Sequence, residues 1–138
     1  MAMTSIQPQK IQSISYSPRT VKRADRAMRC SPFLLPLFVA MRLQSVPLQA
    51  IASQTGVEQG YLQRSMSELA VESSIMWLIQ VGILRREVDG QGITDSFRLT
   101  PLGRQLVAKY EQQGRTFPPP SFLDRLYNAL SRWLRLPV

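Results

Sequence analysis

The chain has no histidine and a single cysteine, Cys30, among its 138 residues. Those two scarcities remove His-based triads and dyads, any intramolecular disulfide and any cysteine zinc site. Cys30 stands beside Ser31 and Pro32 with no base nearby in sequence, so it reads as a tolerated thiol. A redox role for it would lean on Arg26 and Arg29 to favour the thiolate. Acidic residues are scarce too, 9 against 17 Lys plus Arg. The carboxylates are scattered among basic residues without a paired-acid signature, and no Gly-rich phosphate loop of Walker or Rossmann spacing occurs. Enzymatic activity is therefore not expected, and the sequence calls for no cofactor and no metal. The most apolar run, Phe33 to Met41, has about half the ~20 residues that a bilayer span needs. No signal-peptide core lies in the first thirty residues, and a cytoplasmic protein is the default expectation.

What is present is basic charge, a formal +8, and its placement is uneven. Residues 1–30 carry Lys10, Arg19, Lys22, Arg23, Arg26 and Arg29 against Asp25; residues 31–114 are balanced; residues 115–138 carry four arginines against Asp124. An anionic partner is expected, with the attraction held in the tails. The organisation follows: a basic, largely flexible arm over 1–30, a folded domain over 31–114, a Pro-rich linker over 115–120 and an amphipathic helix over 121–138. Within the arm, Thr20 to Met28 has the spacing of a short basic helix, with Val21, Ala24 and Met28 on one face.

Helical patterns fill the first part of the domain. Pro32 to Leu43 is apolar nearly throughout and Pro36 marks its first turn. Val46 and Pro47 open a second helix with Leu48, Ile51 and Ala52 at helical spacing, ended by Thr55-Gly56. A third pattern starts at Val57, with Leu62, Met66 and Leu69 inward and Gln59, Gln63, Arg64 and Ser67 outward. Ser74 to Val81 is strongly apolar and stops at Gly82.

Ile83 to Gly103 then reads as a hairpin feeding a helix. Leu84 and Val88 alternate with polar residues, Asp89-Gly90 and Gly92 supply the turn, and Phe97 and Leu99 alternate with Ser96 and Arg98. Thr100 offers a capping hydroxyl and Pro101 a first helical residue. Leu102, Leu106 and Tyr110 make the inward stripe of the helix Pro101 to Gln112.

Residues from about Pro47 to Gln112 resemble a winged helix-turn-helix domain, a mainly α fold with a small antiparallel β-hairpin. The run G-I-L-R-R followed by S-F-R-L-T-P-L-G resembles the wing and closing helix of many bacterial regulators, and more weakly the dimerisation domain of O-methyltransferases. Gly56 and Gly82 stand 26 positions apart, against about twenty for one recognition helix, so an extra turn or a helix break is expected and the identity of the recognition helix stays open.

The resemblance implies a DNA-binding regulator. Gln59 and Gln63 would read adenine edges, Arg64 a guanine, with Ser67 on the same face. Arg85, Arg86 and Arg98 of the wing would hold phosphates, and Lys22, Arg23, Arg26 and Arg29 would add non-specific affinity. The alternative is a non-catalytic assembly adaptor that uses the fold and its terminal helix as docking surfaces. For that helix Phe122, Leu126, Tyr127, Leu130 and Trp133 form the expected dimer or partner interface, with a homodimer the expected state. Membrane association of the same stripe ranks third.

Overall fold

A computed structural model of the protein describes residues 15–114 and 116–137. Helix α1 (Pro18–Cys30) starts at Ser17, whose hydroxyl accepts the Thr20 N–H at 3.2 Å, with Pro18 in the first turn where a missing N–H is not needed. Ala24, Ala27 and Met28 are buried, and so is Arg26. The flexible arm expected over residues 1–30 is thus corrected from Pro18 onward, where a narrow stripe of small residues lets the helix lie close on its neighbours. Residues 1–14 lie outside the described residues.

Helix α2 (Leu35–Leu43) has Pro36 in its first turn and buries Leu35, Leu37, Phe38 and Met41. Val46–Pro47 does not open a helix; it forms a short strand, β1, paired antiparallel with the return strand of the hairpin through Val46 opposite Phe97. Two short helices follow, α3 (Leu48–Ile51) and α4 (Ser53–Glu58), hinged at an extended Ala52 and at Ser53, whose φ is 61°. Gly56 does not end this segment. It is buried inside α4, where a Cβ would lie 1.7 Å from the Ile51 carbonyl oxygen, so only glycine permits the approach.

The helical pattern expected from Val57 does not form a helix, and the break lies between Glu58 and Ser67. Gly60, at φ 79°, turns the chain, and Leu62 enters the core in an isolated bridge with Phe33. The Leu34 N–H donates to the Tyr61 carbonyl at 2.9 Å and the Ser53 N–H to the Met66 carbonyl at 2.7 Å. These long-range bonds replace the helical ladder that local periodicity favoured. Helix α5 (Glu68–Gln80) begins only at Ser67, whose hydroxyl accepts the Ala70 N–H. Leu69, expected inward, is 78% exposed, and the buried face is Val71, Ser74, Ile75, Trp77 and Leu78.

Gly82, at φ 92°, closes α5. The hairpin β2 (Leu84–Asp89) and β3 (Gly92–Leu99) follows the expected alternation, with Leu84, Phe97 and Leu99 buried. An irregularity between Arg86 and Val88 shifts the register, leaving Val88 and Ile93 exposed towards the hairpin end. Thr100 caps α6 (Pro101–Gln112) by accepting the Gly103 N–H at 3.1 Å, and Leu102, Leu106 and Tyr110 are buried as their spacing requires. The final helix, α7 (Phe122–Trp133), opens with a capping box between Ser121 and Asp124.

The fold is mainly helical, with a three-stranded antiparallel sheet ordered β1-β3-β2. Helices α2 and α6 pack on each other and on β3, α5 packs on β2 and α3, and α1 lies between α5 and α7. The linker is anchored as well: Phe117 meets Phe38 and Tyr110 edge-on, at centroid distances of 5.7 and 5.2 Å. No helix among the described residues is long and apolar enough to cross a membrane.

Candidate functional site

The residues singled out for base reading do not share a face. Gln59 caps the end of α4 and lines a hollow of about 560 Å³ with Val39 and Tyr61. Gln63 and Arg64 lie on the loop after it and line a different cleft, of about 940 Å³, together with Cys30, Arg125 and the prolines 118–120. Ser67 spends its hydroxyl on capping α5. The helix that precedes the hairpin is α5, whose outer face carries Glu68, Leu69, Glu72, Ser73, Met76 and Gln80, without a single Lys or Arg along its length.

The hairpin arginines expected to hold phosphates are largely engaged. Arg86 donates to Asp95 at 3.2 Å and to the Thr94 carbonyl, lies 3.8 Å from Glu72, touches the Met76 sulfur and stacks on Phe97. Arg98 pairs with Glu87 at 3.7 Å. Arg85 is exposed. The hairpin therefore presents an almost balanced surface in which Asp89, Asp95 and Glu87 offset its cations.

Two cations of α1, Arg26 and Arg29, are committed inward in the same way. Arg26 is buried and its guanidinium lies over the Tyr127 ring at 5.5 Å. Arg29 bridges two carboxylates, Asp25 at 3.0 Å and Asp124 at 2.9 Å. Arg23 is half-buried, and Lys22 is exposed. The bond from Arg29, reinforced by the Ser121 backbone N–H, holds the Asp124 carboxyl well below the usual carboxylate range. On the far side of Asp25, Tyr110 donates its hydroxyl to the carboxylate while Lys109 approaches to 3.7 Å. Burial, and then that hydrogen bond, push the Tyr110 phenol well above its ordinary value. Burial likewise raises the Cys30 thiol, outweighing the pull of Arg29, so it stays a protonated thiol at neutral pH.

Helix α7 docks by its polar side. Asn128 accepts the Trp77 indole N–H at 3.0 Å, Arg132 donates to Ser73 at 3.0 Å, and Ser131 is buried at the contact. The expected partner residues Phe122, Leu126, Tyr127 and Trp133 are all exposed and Leu130 is half-buried. Nothing in the apolar stripe foretold the docking. The signal lay opposite it, in the Ser121/Asp124 capping pair and in Asn128 and Ser131, one turn apart.

The chain belongs to the Npun_F0494-like family, whose model matches residues 14–132. No curated protein and no solved structure matches it. The Npun_F0494-like match runs from ahead of α1 into the last turn of α7, so both docked terminal helices fall within the family's unit.

Proposed function

We propose that this Npun_F0494-like protein is a non-catalytic winged-helix module that assembles with another protein through the outer face of α5 and the wing. The fold reading rests on the order helix, strand, helical pair, helix, hairpin from α2 to β3, and on a short first strand paired with the return strand of the hairpin. The observation that carries the protein-binding reading is the outer face of α5. Glu68 and Glu72 flank exposed Leu69 and Met76 there, the helix itself contributes no cation, Arg86 of the hairpin lies against Glu72 and Met76, and α7 lies along its Ser73 and Trp77 side. Carboxylates entering a groove lined by phosphates meet repulsion, whereas an acidic and apolar surface suits a protein partner with basic and apolar side chains.

A photo-cross-linking residue at position 76, introduced into the full chain in its native host, tests the reading. A discrete protein adduct is expected; adducts to nucleic acid instead would sink it. DNA binding is the second reading, favoured by the net charge of +8 and by exposed Arg85 and Lys22. Under it, Arg85→Ala lowers the slope of log affinity against log salt by about 1 on duplex DNA, whereas the adaptor reading leaves the slope unchanged.

A further inference from the structure

Helix α7 turns its apolar stripe away from the protein that holds it. Its inward contacts come from Asp124, Asn128 and Ser131, while Phe122 is 77% and Trp133 66% exposed, with Leu123, Leu126 and Leu134 beside them. A stripe this apolar on a helix already anchored by its other side is a surface for something outside the chain.

The charges around the stripe identify the occupant. Arg132 lies over the Trp133 ring at 4.4 Å, at the edge of the stripe. Arg19 donates to the Pro137 carbonyl beyond the end of the helix, and Arg125 and Arg135 are exposed. The acid of α7, Asp124, sits on the docked side with Arg29 on it. The apolar band is thus framed by guanidinium groups, with no exposed acid in the helix to offset them.

We propose that α7 seats the protein on an anionic lipid bilayer, lying in the plane of the interface with Phe122, Leu126, Leu130 and Trp133 among the acyl chains and the arginines at the level of the headgroups. A band of this kind is what an interfacial helix requires, apolar on one side and cationic at its margins, with Trp and Arg placed where their rings and stems cross the boundary. A second copy of the chain is a poorer fit. A two-fold contact through the stripe sets the same basic margins against each other, and a 12-residue helix presents far less than the roughly 20 to 30 residues a side of a stable interface.

Co-sedimentation of the full chain with vesicles of phosphatidylglycerol and phosphatidylcholine, against phosphatidylcholine alone, tests the proposal. Binding to the anionic vesicles is expected to be tighter by about tenfold or more and to weaken with salt. Brominated acyl chains should quench Trp133 fluorescence, read in a Trp77→Phe background. The double variant Leu126→Glu, Trp133→Glu changes exposed side chains, so its circular dichroism should match the parent while vesicle binding is lost. Equal binding to both vesicle types, or full binding by the double variant, overturns the proposal. So does a solution dimer that binds no vesicles and that Leu126→Glu dissociates.

Discussion

Asp124 receives two donors from two directions: the Ser121 N–H at 3.0 Å closes the capping box, and Arg29 reaches across from α1 at 2.9 Å. Its side chain therefore both starts α7 and fastens it. Asp124→Ala removes the cap and the bridge together and is expected to cost about 2 kcal/mol, read by urea unfolding. Because folding depresses this carboxyl, its stabilising effect is complete above the ordinary carboxylate value and is lost as pH falls through the depressed one. Trp77 fluorescence, reporting the Asn128 contact, should stay constant from neutral pH to about 5 and change only in stronger acid. Tyr110 has the opposite sign. Its raised phenol contributes stability that is complete below the ordinary tyrosine value of about 10 and disappears as pH rises through the higher folded value. An ultraviolet titration should show one late-ionising tyrosine, and Tyr110→Phe should abolish that phase.

At the scale of elements, the decisive feature is the segment between α4 and α5. Local periodicity from Val57 favours helix, yet the chain turns at Gly60 and buries Leu62 against Phe33, so tertiary bonds override propensity. Gly56 makes this possible by letting α4 lie on the Ile51 carbonyl. Gly56→Ala puts a Cβ where 1.7 Å separates it from that oxygen, and a loss of about 3 kcal/mol or more is expected in denaturant unfolding. Ser53 next to it holds φ 61°, a left-handed conformation. Ser53→Gly should therefore stabilise the protein by about 1 kcal/mol, measured in the same way. Both results bear on the candidate site, because this turn carries Gln59 away from Gln63 and Arg64.

For the molecule as a whole, α1, α7 and the linker act as one clasp around the sheet-bearing domain. Arg29 ties α1 to α7, Trp77 and Ser73 tie α5 to α7, and Phe117 wedges against Phe38 and Tyr110. Truncation after Gly114 removes two of these parts and leaves Arg29 without Asp124. A thermal melt should show Tm lower by roughly 8 °C, corresponding to about 2 kcal/mol in a domain of this size. The same truncation should abolish binding to anionic vesicles while leaving cross-linking from position 76 intact, because the two proposed surfaces lie on different faces.

The hairpin, α6 and α2 were legible from residue order because their determinants are local: alternation about a Gly-rich turn, a threonine cap followed by proline, and an apolar run with a proline in its first turn. The excess of charge in the termini and the lack of histidine were equally plain. The ordering of α1, the break before α5 and the direction α7 faces were decided by tertiary structure. Each depends on partners far away in sequence, Asp124 for Arg29, Phe33 for Leu62, Trp77 for Asn128. The candidate site suffered most, since a helical pattern had gathered Gln59, Gln63, Arg64 and Ser67 onto one face that the folded chain never forms. Periodicity reports which residues are apolar and how they are spaced, but the choice between two faces of a helix belongs to the surface it meets. In α7 that surface offered Arg29 and an indole N–H, and hydrogen bonding to them drew the polar side inward and left the apolar side exposed.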